Sequence, residues 1–133
     1  MWEMRRLWSG VAGIVCVCAL IFALPAMARV IEGTKGSDKL IGSNNGDRIT
    51  AKRGDDIIRS RKGGDVLRAG GGNDFVKGGQ GFDEIRSGRG DDEIHVRDGQ
   101  PDFVNCGPGR DKVIVDDVEE GIFDCEKVVE PKA

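Results

Sequence analysis

From residue 38 onward the chain sets down one aliphatic side chain every nine residues: Leu40, Ile49, Ile58, Leu67, Val76, Ile85 and Ile94. That interval fits neither the 3.6-residue period of an amphipathic helix nor a long alternating strand. Each aliphatic and its neighbours are enough for a strand of about three residues. The six residues between are turn formers, chiefly Gly followed by Asp. The pattern therefore predicts an all-β chain of strand, turn, strand, turn.

The polar positions keep the same clock. Asp38, Asp47, Asp56, Asp65, Asp74, Asp83 and Asp92 each stand two residues before an aliphatic. Two residues before each Asp come Gly36, Asn45, Gly54, Gly63, Gly72, Gly81 and Gly90. Asn is the other residue that enters left-handed backbone readily, so Asn45 is expected to behave as its glycine counterparts do. Asp is 15 of 133 residues, so six accidental continuations of the interval have odds of about one in a million. The clock slips once. Pro101 stands where the next Asp is due, and the period resumes with Asp102 and Asp111, followed by Val104 and Val113. A one-residue insertion near Asp98 to Gln100 accounts for the slip.

Composition narrows the function. A net charge of -3 and an aromatic content of 5% argue against nucleic acid, which asks for a basic face or stacking rings. One histidine, His95, leaves little for acid–base chemistry, so the chain is not expected to be an enzyme. The 21 glycines have no three-residue period, which excludes collagen.

The N-terminus has a different character. Arg5 and Arg6 precede an apolar run from Val11 to Leu24, then Pro25 and the small-x-small triplet Ala26-Met27-Ala28. This is the plan of a secretory signal peptide over residues 1–28, cleaved after Ala28, with an uncleaved anchor as the alternative. Cys16 and Cys18 would leave with it. The remaining chain is expected outside the cell, with no membrane attachment after cleavage. In that oxidising setting Cys106 and Cys125 are able to pair. A bridge would close a loop of about 20 residues, worth roughly 3 kcal/mol in the entropy model; two free thiols are the other reading.

The nine-residue unit is small-x-x-Gly-x-Asp-x-aliphatic-x. It resembles the repeats-in-toxin (RTX) calcium-binding family, whose consensus is Gly-Gly-x-Gly-x-Asp-x-aliphatic-x. The resemblance runs from Gly33 to Ile114 and is strongest in Ala69 to Lys77, Gly78 to Arg86 and Ser87 to His95. It implies a parallel β-roll, a right-handed solenoid with two units per turn, over residues 29–114. Residues 115–133 would form a short C-terminal cap and tail. The run from Asp102 to Val113, followed by Asp124-Cys125-Glu126, looks like the end of small secreted calcium-binding proteins of high-GC Gram-positive bacteria.

Two units per turn stack every second loop at the strand spacing of about 4.8 Å. One edge would carry Asp38, Asp56, Asp74 and Asp92, and the other Asp47, Asp65 and Asp83 with Asp102 next. Stacked carboxylates repel by about 1 kcal/mol per pair even in water. Several Ca²⁺ ions between successive loops would remove that cost. The expected ligands are these aspartates, Asp111 among them, and backbone carbonyls at Gly36, Asn45, Gly54, Gly72, Gly81 and Gly90. Calcium accepts six to eight oxygens in tolerant geometry, whereas Mg²⁺ wants a tighter octahedron and Zn²⁺ wants nitrogen or sulfur. Few aliphatics support a long chain, so folding is expected to be coupled to calcium. The units holding Lys52-Arg53 and Arg61-Lys62 are expected to crowd and repel the ion.

Other features have plainer readings. Arg53-Gly54-Asp55 and Arg89-Gly90-Asp91 arise from the repeat and are not expected to act as adhesion tripeptides. Arg59, Arg68, Lys77 and Arg86 should point outward on two faces, as a solvated stripe or, alternatively, a polyanion-binding face. His95 shares their position and should be exposed. The alternative function is an extracellular surface interaction or adhesion module with calcium only structural. Threonines are too few for an ice-binding face, and Phe75, Phe82 and Phe103 too few to support glycan binding; a cell-wall or glycan partner is left open by the sequence.

Overall fold

The computed structural model describes residues 27–116 and 121–130. The signal segment expected over residues 1–28 lies outside them apart from Met27 and Ala28, as do 117–120 and 131–133 of the expected cap and tail. The described residues form twelve strands: β1 (Val30–Glu32), β2 (Lys39–Ile41), β3 (Arg48–Arg53), β4 (Ile57–Lys62), β5 (Val66–Gly71), β6 (Phe75–Gln80), β7 (Glu84–Arg89), β8 (Glu93–Val96), β9 (Phe103–Asn105), β10 (Lys112–Val115), β11 (Ile122–Phe123) and β12 (Lys127–Val129). Odd-numbered strands make one six-stranded parallel sheet and even-numbered strands the other. Each strand pairs with the one two ahead, so that Ile49 lies beside Leu67 and Ile58 beside Val76. This is the parallel β-roll with two units per turn.

The strands are longer than the three residues expected. β3 to β7 have six residues each. The reason is an inward alternation that begins at the Asp and continues past the aliphatic: Asp47-Ile49-Ala51, Asp56-Ile58-Ser60, Asp65-Leu67-Ala69 and Asp83-Ile85-Ser87 are all buried. Side chains of a strand alternate faces with period two, so the first residue of each unit faces the same interior as the aliphatic. It is small from Gly33 to Ser87, and a Cβ at Gly33, Gly42 or Gly78 would meet the carboxylate of the unit's own Asp at 2.7 Å. The apolar core is one column of aliphatics from each sheet, extended by Val96, Cys106 and Val115.

The insertion falls where the slipped period puts it. β7 and β9 pair Glu84 with Phe103, and β8 and β10 pair Glu93 with Lys112, both offset by 19 rather than 18. The extra residue is taken up in the bend at 98–100, where Gly99 has a φ of +80° and open space around it.

The C-terminal segment continues the coil. β11 extends the odd sheet beside β9, and β12 extends the even sheet beside β10. Cys106 and Cys125 form a disulfide with Cα atoms 5.2 Å apart, tying that last rung to the buried core. The Phe103 and Phe123 rings on the paired strands β9 and β11 meet at a tilt of 38°, centroids 5.2 Å apart.

Candidate metal centres

Each repeat Asp stands at the leading end of a strand and faces inward, on the same side as the aliphatic two residues later. From Asp38 to Asp92 the backbone N–H of each donates to Oδ1 of the Asp one full turn ahead. One edge is a column running from Asp38 to Asp56 (2.7 Å), Asp74 (2.8 Å), Asp92 (2.8 Å) and Asp111 (2.9 Å). The other runs from Asp47 to Asp65 (2.6 Å), Asp83 (2.9 Å) and Asp102 (2.7 Å). The nine aspartates thus fall into the two columns expected from their spacing.

Only half of each inner carboxylate is satisfied this way. The Oδ2 atoms of Asp56, Asp65, Asp74, Asp83, Asp92 and Asp111 are buried and have no hydrogen-bond partner among the described residues. Orphaned buried carboxylate oxygens are costly, so their repetition at one strand spacing is a strong indication of a ligand. Burial pushes these groups up, against the pull of the donated N–H, and neighbouring carboxylates push them further. Asp83 is raised to about 8, while Asp74 is raised to about 6. Burial, followed by Asp98 and Asp116 nearby, raises Asp102 to about 6. Asp56, Asp65, Asp92 and Asp111 move in the same direction.

The first two units are built differently. The N–H of Thr34 donates to Asp38 Oδ2, and that of Ser43 to Asp47 Oδ2. Their hydroxyls accept from the N–H of Gly36 (3.1 Å) and of Asn45 (3.2 Å). The turn is closed around its own carboxylate, so Gly36 and Asn45 do not take the positive φ expected of them, whereas Gly54, Gly63, Gly72, Gly81 and Gly90 do. For Asp47, burial acts upward, but these donors and the N–H of Arg29 outweigh it and leave the carboxyl lowered. Of the expected ligands, Asp38 and Asp47 therefore already hold protein donors.

The crowding expected in the middle units is not seen. Lys52, Arg53, Arg61 and Lys62 are exposed and point away from the turn interior, and Lys52 reaches Glu32 at 3.1 Å. They do not crowd Asp56 or Asp65. Instead Lys52 and Arg61 carry backbone strain, with φ of +90° and +92°. Only glycine follows them in the stack, because a Cβ at Gly70 or Gly79 would meet the carbonyl of Lys52 or Arg61. Lys52 and Arg61 escape that clash because the rungs before them, at Thr34 and Ser43, turn differently.

The oxygens fit calcium. Among the described residues no three His, Cys, Asp or Glu side chains converge into a chelating group, so a bound ion would need backbone oxygens as well. The fourth position of the unit supplies a tightly stacked backbone: a Cβ at Gly72, Gly81 or Gly90 would strike the carbonyl of Gly54, Gly63 or Gly72 on the preceding turn. Carboxylate plus carbonyl oxygen is the donor set of a hard cation that tolerates irregular geometry.

Two contributions escaped the sequence reading. The Asp56 edge carries an outer ladder, in which Asp55 accepts from the Asn73 N–H (2.8 Å), Asn73 from Asp91 (2.9 Å) and Asp91 from Arg110 (3.0 Å). Their offsets of 18, 18 and 19 residues follow from the register once the slip is counted. The insertion also brings Asp98 to the other edge, where it accepts from the Gly81 N–H at 2.7 Å. His95, expected to be exposed, is half-buried against the Phe75 ring, its Nε2 2.7 Å from Glu93 Oε1.

Residues 30–58, 41–76 and 68–100 match the family described as RTX calcium-binding nonapeptide repeat, together more than half of the chain. No curated protein and no solved structure gives a significant match.

Proposed function

This chain belongs to the RTX calcium-binding nonapeptide-repeat family, and on that premise we propose that it is an exported module whose inner carboxylates take up several Ca²⁺ ions and whose folding is coupled to them. The observation that carries the reading is the pair of columns of buried, unpartnered Oδ2 atoms. Asp56, Asp74, Asp92 and Asp111 would hold ions on one edge, and Asp65, Asp83 and Asp102 on the other, each with backbone oxygens of its turn. Bound calcium supplies positive charge where the protein otherwise stacks like charges.

Coupling follows from the same balance. Between the ions and the bare chain lies only a narrow apolar column, and the interior aspartates oppose folding until they are neutralised. The export reading is supported by the Arg5-Arg6 start, the apolar run and the Ala26-Met27-Ala28 triplet. The role is binding and not catalysis: the lone imidazole, His95, is held between Phe75 and Glu93. Circular dichroism of residues 29–133 tests the coupling. A disordered spectrum without metal and a β spectrum after calcium is the expected result. A cooperative melt of metal-free chain at neutral pH, unmoved by added calcium, would overturn it.

A further inference from the structure

The outward face of the even-numbered sheet carries a groove over the paired strands β4 and β6. Arg59, Arg61, Lys77 and Arg97 surround a cleft of about 510 Å³ whose floor is Gly79 and whose rim includes Ile41, Gln80 and Asp98. That volume lies within the ~300–1,000 Å³ usual for small-ligand clefts. Arg59 and Lys77 are direct cross-strand neighbours, an arrangement of like charges that destabilises a sheet unless something offsets it. None of the four cations has a carboxylate within ion-pair reach among the described residues. Asp98, the acidic group at the rim, is occupied by the N–H groups of Gly81 (2.7 Å) and Gln100 (2.9 Å). On the other sheet the outward cations Lys52 and Arg86 are paired with Glu32 and Glu84, at 3.1 and 2.9 Å.

The geometry points to an oxyanion-binding groove, and we infer that its ligand is a glycan chain bearing sulfate or phosphate esters. Three arginines offer planar forks that match tetrahedral oxyanions in pairs of hydrogen bonds. Gln80 offers an amide for hydroxyl groups, and Ile41 a half-exposed apolar edge for a sugar face. No aromatic side chain lines the cleft, so the base stacking that single-stranded nucleic acid uses is missing. The floor is open because Gly79 cannot carry a side chain: its φ is +104° and a Cβ would strike the Arg61 carbonyl. Calcium in the columns would offset the inner carboxylates and leave the basic face dominant. The inference needs the assembled roll but not the coupling of its assembly to calcium.

The test is calorimetry on the chain recovered from the expressing host, in calcium well above the probe concentration, with circular dichroism on the same samples. The probes are a sulfated maltotetraose, a phosphorylated maltotetraose of equal charge, unmodified maltotetraose and a single-stranded DNA oligomer of equal charge. Binding of the sulfated sugar, the phosphorylated sugar or both is expected, and which one binds identifies the ester. Arg59→Glu with Lys77→Glu should weaken binding about tenfold or more, and the milder Arg97→Gln should weaken it in the same direction. Arg68→Glu with Arg86→Glu makes the same charge change on the opposite sheet and should leave affinity within about twofold. Equal weakening by that control pair would overturn the inference. So would equal binding of the neutral sugar or of the DNA, or no binding of either anionic oligomer to chain showing the β spectrum.

Discussion

Asp65 gives its backbone N–H to Oδ1 of Asp83 across one turn of the coil, at 2.9 Å. One oxygen of Asp83 thereby sets the register of the two rungs, while the other is buried with no partner. The same side chain is both a structural bond and half of a candidate calcium site. That double use explains why the repeat asks for Asp and not merely for a turn former: Ser or Gly would leave the N–H unmatched and supply no charge.

Acid should stabilise the metal-free roll. Asp83, raised to about 8, and Asp74 and Asp102, raised to about 6, bind protons more tightly folded than unfolded, where a carboxyl titrates near ~3.9. Their contribution is complete below that value and is lost as pH rises through 6 and then 8. Calcium competes for the same oxygens, so its affinity should move the opposite way. Dialysed, metal-free chain is expected to hold a partial β spectrum near pH 4 and to lose it as pH rises, and calcium titrations over pH 5 to 8 are expected to show a tightening Kd.

Asp83→Asn keeps an oxygen for the Asp65 N–H and removes the charge. In metal-free buffer above pH 8 the variant is expected to retain more β signal than the parent by circular dichroism. Its calcium response should weaken by roughly tenfold. A variant that binds calcium as the parent does would remove Asp83 from the ligand set.

Glycines of the stack should differ sharply in tolerance. Gly72 has a φ of +128°, and a Cβ there would strike the Gly54 carbonyl. Gly36 has ordinary backbone and only the Thr34 hydroxyl within 4 Å, at 3.8 Å. Gly72→Ala should cost about 2 kcal/mol or more, and Gly36→Ala less than about 0.5 kcal/mol. Denaturant melts in saturating calcium would show the contrast.

Lys52→Gly is expected to stabilise the protein. Lys52 holds a φ of +90°, which costs a side chain about 1–2 kcal/mol. Its exposed ion pair with Glu32 returns at most about 1 kcal/mol. A gain of up to about 1 kcal/mol should appear as a higher melting temperature; a loss would mean the pair outweighs the strain.

Opening the disulfide should loosen the last rung first. The Cys106–Cys125 bridge spans 19 residues and is worth roughly 3 kcal/mol in the chain-entropy model. Cys125→Ser should raise hydrogen exchange in β11 and β12 well before β5 or β6. Uniform exchange across all strands would show that the bridge supports the whole coil.

Legible from the order of residues were the repeat, the two columns of aspartates, the slip near Asp98 and the pairing of Cys106 with Cys125 as one of two outcomes. These are translational features: a nine-residue period fixes which residues recur on each edge wherever the coil points. Stacking decided the rest. Gly36 and Asn45 depart from their glycine counterparts because Thr34 and Ser43 offer donors that close the first turns locally. Lys52 and Arg61 point outward because the rung before each leaves room for strained backbone. Arg59, Lys77 and Arg97 become one groove, and Asp55, Asn73 and Asp91 one ladder, only when residues about 18 apart are laid side by side. A linear period says which residues are equivalent; contacts between rungs decide which of those equivalents meet a donor, a neighbour's charge or open solvent.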